Sequence, residues 1–147
     1  MQRRNFLTFL LGGATALLVI PLQVLSAVWN RAAFETTKLD EATKNLSIDN
    51  EIVSLDIQII APDKAENGAV VPVEVRSHIA NTEAIAILVE KNPTPLIANF
   101  MFSHGAEPFV VTRIKMAETD DIKIIVKAGN QYFTNSKNII VLENGCG

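Results

Sequence analysis

The stretch Val71-Pro72-Val73-Glu74-Val75-Arg76 alternates apolar and polar side chains with a period of two residues. That period places one face of an extended strand against a core and turns the other face to solvent. We interpret Val111-Thr112-Arg113-Ile114-Lys115-Met116 as a second strand of this kind, with Ile114-Lys115-Met116 alternating most clearly. Because Pro72 lacks an amide hydrogen, we expect its strand to lie at a sheet edge or to carry a bulge. The two stretches predict a β-rich domain.

More segments rich in β-branched residues lie on either side of these two, and turn signals such as Asn67-Gly68, Asn92-Pro93 and Gly129-Asn130 separate them. Many short strands with short loops predict a mainly β fold, an antiparallel β-sandwich of the immunoglobulin-like type. The predicted strands are Ile52–Ile60, Ala69–Arg76, Ala84–Glu90, Ile97–Phe102, Phe109–Met116, Ile122–Lys127, Gln131–Thr134 and Asn138–Leu142.

A short N-terminal helix is predicted ahead of the strands. Thr37 followed by Asp40 three residues later resembles a capping box, in which a hydroxyl accepts a hydrogen bond from a free backbone amide. The helical spacing of Leu39, Ala42 and Leu46 gives one apolar face.

The N-terminus has the features of an export signal. Arg3 and Arg4 precede an apolar stretch of 17 residues, 9–25, and small residues follow it. We predict a twin-arginine signal peptide over residues 1–27 that is removed after export to the periplasm. The alternative is a membrane anchor, but 17 residues interrupted by glycine and proline are marginal for a span. We therefore expect no stable membrane anchor after cleavage.

Composition narrows the classes of partner. The chain has 147 residues and a formal net charge of −3, which becomes more negative once Arg3 and Arg4 are removed. Nucleic-acid binding needs a basic face that displaces counterions, so we expect no nucleic-acid partner. The length predicts one domain, which we assign to residues 28–142.

The only cysteine, Cys146, lies near the C-terminus between Gly145 and Gly147. An unpaired thiol in an oxidising compartment predicts intermolecular pairing or reactivity. Glycine adds no side-chain bulk, so residues 143–147 are predicted to form a flexible arm that can carry the sulfur into a narrow cleft. Measured from Leu142, four residues reach about 13–14 Å.

The sequence contains none of the familiar catalytic patterns. His78 and His104 lack cysteine or histidine partners at metal-ligand spacing, so no metal site is predicted. Asp120 and Asp121 are interpreted as a solvated turn, and Ser103 beside His104 lacks an evident orienting acid. No cofactor and no catalytic residue are predicted for this chain.

Three internal stretches resemble the SoxY family, the sulfur-carrier subunits of the periplasmic thiosulfate-oxidising Sox system. They are residues 61–73 (Ala61-Pro62-Asp63 to Val73), 87–96 (Ile87-Leu88-Val89 to Leu96) and 112–116 (Thr112-Arg113-Ile114-Lys115-Met116). The twin-arginine leader and the cysteine tail agree with this resemblance. One departure is that the family usually ends in Gly-Gly-Cys-Gly-Gly, whereas here Asn144 replaces the first glycine and the chain stops at Gly147.

The resemblance implies a carrier without turnover of its own. Cys146 would be the site of covalent sulfur attachment, with Gly145 and Gly147 keeping the arm slender. The implied partners are a SoxZ-like subunit in a heterodimer, the haem enzyme SoxAX that joins thiosulfate to the cysteine, the manganese hydrolase SoxB and, where present, a SoxCD-type molybdenum enzyme. The cofactors belong to those partners.

Two other classes remain open from the sequence. In the first, the chain is a structural or adhesive sandwich whose Cys146 only forms an intermolecular disulfide, so Cys146→Ser would lose the dimer but keep biological activity. In the second, Cys146 is a thiol oxidoreductase, which would show turnover by the isolated chain. Such enzymes generally use a low-pKa thiolate beside a resolving cysteine, and the sequence has no second cysteine.

Overall fold

The structure, a computed structural model, describes residues 30–103 and 105–144. It begins with two short helices, α1 (Arg31–Glu35) and α2 (Leu39–Asn45). Nine strands follow within the described residues, so the predicted mainly β fold is confirmed. They are β1 (Glu51–Val53), β2 (Ile57–Ile60), β3 (Lys64–Asn67), β4 (Val71–Ser77), β5 (Thr82–Val89), β6 (Leu96–Met101), β7 (Phe109–Ile114), β8 (Asp120–Ala128) and β9 (Gln131–Glu143).

The strands form two sheets, as the sandwich prediction requires. The larger sheet has the order β1-β9-β8-β5-β6, with β3 also paired to β9, and the smaller sheet has the order β2-β4-β7. Neighbouring strands are antiparallel, except that β1 and β3 run parallel to β9. Strand β9 therefore has β8 along one side and β1 followed by β3 along the other.

The main core lies between the two sheets and follows from the alternation in the sequence. In β4 the odd-numbered residues from Val71 to Ser77 point inward, while Pro72, Glu74 and Arg76 point out. Strands β5 and β8 supply the opposite wall with isoleucine and valine. Each such side chain contributes about 1.5–3 kcal/mol when it is fully buried. The fully buried members include Val71, Val73, Val75, Ile85, Ile87, Ile122, Ile124 and Ile139.

A second, smaller apolar cluster lies between the helices and the outer face of the larger sheet. Ala33 and Ala42 are fully buried there, since a methyl side chain lets a helix approach the sheet closely. The Asn30 side chain caps α1 by accepting a hydrogen bond from the Ala33 amide at 3.1 Å. The buried members are Ala33, Ala42, Ala86, Leu88, Leu96 and Ile125.

The predicted helix is present as α2, but its predicted cap is wrong. The helix begins at Leu39, and its N-cap residue Lys38 makes no side-chain cap hydrogen bond. The neighbouring hydroxyl of Thr36, not Thr37, accepts from the Lys38 amide at 3.3 Å and donates to the Glu41 carboxylate at 2.8 Å. Helix α1 was not predicted, because five residues are too few to show a period.

Several strand boundaries also differ from prediction. The predicted strand Ile52–Ile60 is two strands, β1 and β2, that belong to different sheets. Between them the Asp56 amide donates to the Ser54 hydroxyl at 3.2 Å, which forms a turn without glycine or proline. Two predicted strands at the C-terminus are one continuous strand, β9. Strand β3 was not predicted at all.

The prediction that Pro72 lies on an edge strand or at a bulge is wrong, because β4 is the middle strand of its sheet and its register with β7 runs without a shift. Pairing between β4 and β2 ends at Ile60 opposite Glu74, whereas Pro72 lies opposite Arg113 of β7. Pro72 therefore lies beyond the reach of β2, where a missing amide donor costs no hydrogen bond to that strand.

Within residues 30–103 and 105–144, no helix is long and apolar enough to span a bilayer.

Candidate functional site

The residues that the sequence assigns to the site lie outside the described residues. These are Cys146, Gly145 and Gly147 of the arm and Arg3 and Arg4 of the leader. The structure does describe the strand that leads to the arm, β9, as far as Glu143, and the exposed Asn144 after it. The geometry available for the site is therefore that of the arm root, which we define as residues 140–143 of β9 and the segments bonded to them.

Strand β3 holds the arm root by parallel pairing. Lys64 lies opposite Ile140, Ala65 opposite Val141 and Asn67 opposite Glu143. The pairing is closed at both ends by backbone hydrogen bonds: Ile140 donates to the carbonyl oxygen of Asp63 at 3.0 Å, and Gly68 donates to that of Glu143 at 2.8 Å.

This pairing carries the strand one residue beyond its predicted end at Leu142. From Glu143, only three residues lead to Cys146, so an extended chain reaches about 10–11 Å. The reach estimated from the sequence, about 13–14 Å from Leu142, was counted from a residue that the structure keeps within β9.

The loop between β7 and β8 forms a second support for the arm root. The hydroxyl oxygen of Thr119 accepts a hydrogen bond from the Val141 amide at 2.9 Å. In the same loop, the Met116 amide donates to the carbonyl oxygen of Gly68 at 2.7 Å. One loop thus holds both β9 itself and the turn that binds Glu143.

The hairpin between β5 and β6 fixes that loop in turn. The side chain of Asn92 is 9% exposed, donates to the carbonyl oxygen of Lys115 at 2.7 Å and accepts from the Ala117 amide at 2.8 Å. Its neighbour Lys91 donates from Nζ to the carbonyl oxygen of Thr119 at 3.0 Å. The hydrogen bonds therefore run from the hairpin through the loop to the last residues of β9.

An exposed apolar strip lies on the outer face of the arm root. Ile139 and Val141 point into the core, so Ile140 and Leu142 point to the opposite face, where they are 40% and 64% exposed. By register, Lys64 of β3 is the neighbour of Ile140 across the strand pair.

The two aspartates at the start of β8 have structural partners. Asp120 accepts a hydrogen bond from the Lys91 amide at 2.8 Å, and Asp121 accepts one from the side chain of Asn138 at 2.7 Å. Asp120 thereby joins the hairpin to β8, so it too belongs to the support of the arm root.

His78 and Ser103 lie with the β4–β5 and β6–β7 connections, around an open polar cavity at the opposite end of the sandwich. In the described residues, no group of three or more histidine, cysteine or acidic side chains could hold a metal ion.

Ion pairs shift the pKa of several groups away from the arm root. The hydrogen bond from Lys127 to Glu83, 2.9 Å long, holds the pKa of the Glu83 carboxyl below its usual value and raises that of the Lys127 ammonium. In α2, hydrogen bonds from Thr36 and Lys38 lower the pKa of Glu41. These groups lie on the surface of the protein, away from the arm root.

The outer face of the smaller sheet has an open groove. It is lined by Ile60, Pro62, Pro72 and Val111, together with Glu74 and Arg113. Beside it, the Arg76 guanidinium lies 4.1 Å from the centre of the Phe109 ring and also pairs with Glu107. The face thus combines apolar contact area with charges of both signs.

Sequence reasoning missed the residues that support the arm root. Asn92 and Gly68 were noted only as parts of turns, and Thr119 was not noted. Their partners are 22–75 positions away along the chain, so no local pattern reveals the contact. The one available signal was the position of Asn92 before Pro93, since a buried asparagine in a tight hairpin commonly bonds to backbone groups.

Comparison with known proteins gives a family match. The family model described as "Sulfur oxidation protein SoxY" matches residues 43–146. The solved structure of the sulfur carrier protein SoxY from Chlorobium limicola f thiosulfatophilum is 34% identical, with a TM-score of 0.65; the match covers 71% of this chain and 96% of that one.

Other comparisons extend only to the fold. A variant of the superoxide reductase (neelaredoxin) from Ignicoccus hospitalis is 19% identical with a TM-score of 0.51, and the match covers 71% of this chain and 92% of that one. No protein among the curated sequences matches this chain.

Proposed function

This chain belongs to the SoxY family of sulfur oxidation proteins, and we propose that it carries sulfur intermediates covalently on Cys146 and presents them to partner enzymes. The observation that supports this role most directly is the extent of the family match. It runs through residue 146, the position of the only cysteine in the chain. In this proposal the chain is a carrier subunit and has no turnover of its own.

The arm root suits a carrier because it separates a fixed body from a short chemical end. Thr119 and Gly68 hold β9 through Val141 and Glu143. The Cα of Cys146 then lies within about 10–11 Å of a fixed point on the sandwich, with the thiol one short side chain beyond it. A partner that binds the sandwich would therefore locate the sulfur within a small volume, which lowers the entropy lost when the sulfur reaches the reacting centre.

The thiolate is the form of cysteine that reacts, and an unperturbed cysteine has a pKa of about 8.5. A carrier gains from a thiol that is mostly protonated in free solution, because premature oxidation is then slow. Under this proposal each partner enzyme would supply the positive charge or metal that activates the sulfur inside its own site.

We propose export to the periplasm by the twin-arginine route, directed by Arg3 and Arg4, with removal of the leader. In that compartment the chain would form a heterodimer with a SoxZ-like subunit. The exposed edges of the two sheets and the groove on the smaller sheet, with Val111 and Ile60 at its surface, are the regions that could accept a second sandwich. SoxAX, SoxB and, where present, a SoxCD-type enzyme would act on Cys146 in turn.

The test is mass spectrometry of the mature protein and its C-terminal peptide from thiosulfate-exposed cells, before and after reduction. We expect reducible sulfur or thiosulfonate adducts on Cys146, and none on a Cys146→Ser variant. A bare thiol in thiosulfate-exposed cells would contradict the carrier role. A Cys146–Cys146 disulfide as the only modification would favour the structural sandwich instead.

A further inference from the structure

The outer face of β9 changes character along its length. Near the helices it carries Tyr132 and Thr134, which are partly covered, and then the exposed polar residues Ser136 and Asn138. At the arm root it becomes apolar again, with Ile140 and Leu142 exposed. The second apolar pair lies outside the apolar cluster of α1 and α2, which covers β5, β6 and β8 and reaches β9 only at Tyr132.

From this strip we infer an interaction surface: Ile140 and Leu142 bind the rim of the active-site channel of the enzyme that acts on Cys146. The inference rests on the proposed carrier function. It specifies which part of the sandwich a partner enzyme must contact, whichever reaction it performs on the sulfur.

The short segment between Glu143 and Cys146 points to this occupant. Cys146 is the third residue after Glu143, so its Cα stays within about 10–11 Å of the Cα of Glu143, and the sulfur reaches only one short side chain further. A reacting centre that excludes water lies below the surface of its enzyme. An arm this short can reach such a centre only when the rim of the channel lies against the surface from which the arm departs. Leu142 is exposed on that surface and is the residue directly before Glu143.

The composition of the surface fits a docking contact. Two exposed aliphatic side chains lie side by side, and Lys64 and Glu66 of the adjacent strand β3 are exposed beside them. An apolar centre with a polar rim is the usual arrangement of protein interfaces. The hydrogen bonds to Thr119 and Gly68 hold this surface in place beside Glu143, from which the chain continues to Cys146. Docking of the surface therefore positions the start of that segment.

The variant for the test is Leu142→Ser, which removes apolar area without adding charge near Cys146. The matched control is Met101→Ser. Met101 is 74% exposed and lies opposite Ala84, toward the end of the larger sheet where Lys127 and Tyr132 also lie, away from the arm root. Both variants are prepared as the complex with the SoxZ-like subunit, and their melting temperatures are measured first.

The measured reaction is oxidative conjugation of thiosulfate to Cys146 by the haem enzyme SoxAX, with the carrier as the varied substrate. An S–S bond forms, the thiol proton is released, and two electrons pass through the enzyme to an added one-electron acceptor, whose reduction is followed. We expect Leu142→Ser to raise the KM for the carrier about tenfold, a typical effect of truncating a central interface residue, with kcat unchanged. Met101→Ser is expected to leave both constants as in the wild type. Alkylation of Cys146 by iodoacetamide, which needs no docking, should proceed at the same rate in all three proteins.

A second measurement isolates docking from chemistry. The Cys146→Ser carrier should inhibit conjugation competitively, and adding Leu142→Ser should raise its inhibition constant about tenfold. An unchanged KM in Leu142→Ser, or a loss confined to kcat, would overturn the docking surface while leaving the carrier role intact. Failure of the wild type to accept thiosulfate at all would overturn both. A change in self-association alone would identify a second copy of the chain as the occupant and overturn the proposal.

Discussion

The backbone amide of Gly68 donates a 2.8 Å hydrogen bond to the carbonyl oxygen of Glu143. Gly68 follows β3 directly, and Glu143 is the last residue of the strand that leads to the only cysteine. The bond joins residues 75 positions apart and fixes the point from which the arm departs. The supports of that point can be tested without the partner enzymes.

Thr119 can be tested by changing its hydroxyl. In Thr119→Val the Val141 amide loses its acceptor, so we expect the free energy of unfolding to fall by about 1–2 kcal/mol and hydrogen exchange at the Val141 amide to become faster. Thr119→Ser keeps the hydroxyl and should keep most of the protection. Amide exchange followed by NMR measures the effect. Equal exchange in the valine and serine variants would show that the hydroxyl does not hold β9.

Asn92 should matter more for stability than its turn position indicates. Asn92→Ala leaves the carbonyl of Lys115 and the amide of Ala117 without their partner in a partly buried site, so we expect a loss of about 2–3 kcal/mol. The control is Asn138→Ala, in which an exposed asparagine loses a bond to Asp121, with an expected change within about 0.5 kcal/mol. Urea denaturation of both variants measures the difference, and similar losses would contradict the bridging role.

The backbone freedom of Gly145 is expected to serve the partner reactions and not the fold. In Gly145→Val a β-branched side chain restricts the backbone next to Cys146, so the rate of thiosulfate conjugation by SoxAX should fall while the melting temperature stays unchanged. Gly145→Ala, with a smaller restriction, should give an intermediate rate. Normal conjugation in the valine variant would mean that the arm needs no glycine at this position.

The pair Glu83–Lys127 gives a prediction about pH. The pKa of Glu83 is lowered from 4.5, so its contribution to stability is present above that value and is lost as the pH falls through the lower folded pKa. The pKa of Lys127 is raised from 10.5, so its contribution is present below that value and is lost as the pH rises through the higher folded pKa.

Melting temperatures of the wild type and Glu83→Gln, measured across pH, test this pair. The wild type should melt at the higher temperature between about pH 5 and 10, and the difference should disappear at both extremes. Because the pair is exposed, the difference should also shrink in 1 M salt. A difference that persists at pH 2 would have another cause than the ion pair.

The sequence predicted the central strands well, because their pattern is local. In β4 the alternation of buried and exposed residues follows the printed sequence, and it needs no knowledge of the partner strands. In β7 the strand was predicted but the inward face was not fully readable, because Val110 and Ile114 are buried whereas Val111 is 68% exposed. Strand β3 was missed because Ala65 is its only buried residue and its neighbours are charged or polar. Its pairing with β9 is decided by contacts more than 70 positions away, which no local pattern encodes.

The candidate site was predictable in chemistry but not in geometry. A lone cysteine between glycines identifies Cys146 as the residue to test, and the family match extends to its position. The number of residues between the end of the last strand and Cys146 was not predictable, because it depends on where the pairing with β3 and Gly68 ends. The apolar strip was equally hidden, since Ile140 and Leu142 in a run of aliphatic residues look like core until the helices are placed.

The placement of β9 between neighbours has a mechanical consequence. A force applied to the C-terminus along β9, as when an enzyme draws the tail inward, loads the strand in shear. The hydrogen bonds between β8 and β9 lie across that direction at alternate positions along nine residue pairs, so they share the load instead of breaking one after another. Strand β3 is bonded to the other side of β9, so the last strand is held along both of its edges. We therefore expect that a force applied repeatedly to the C-terminus along β9 does not separate β9 from the sheet.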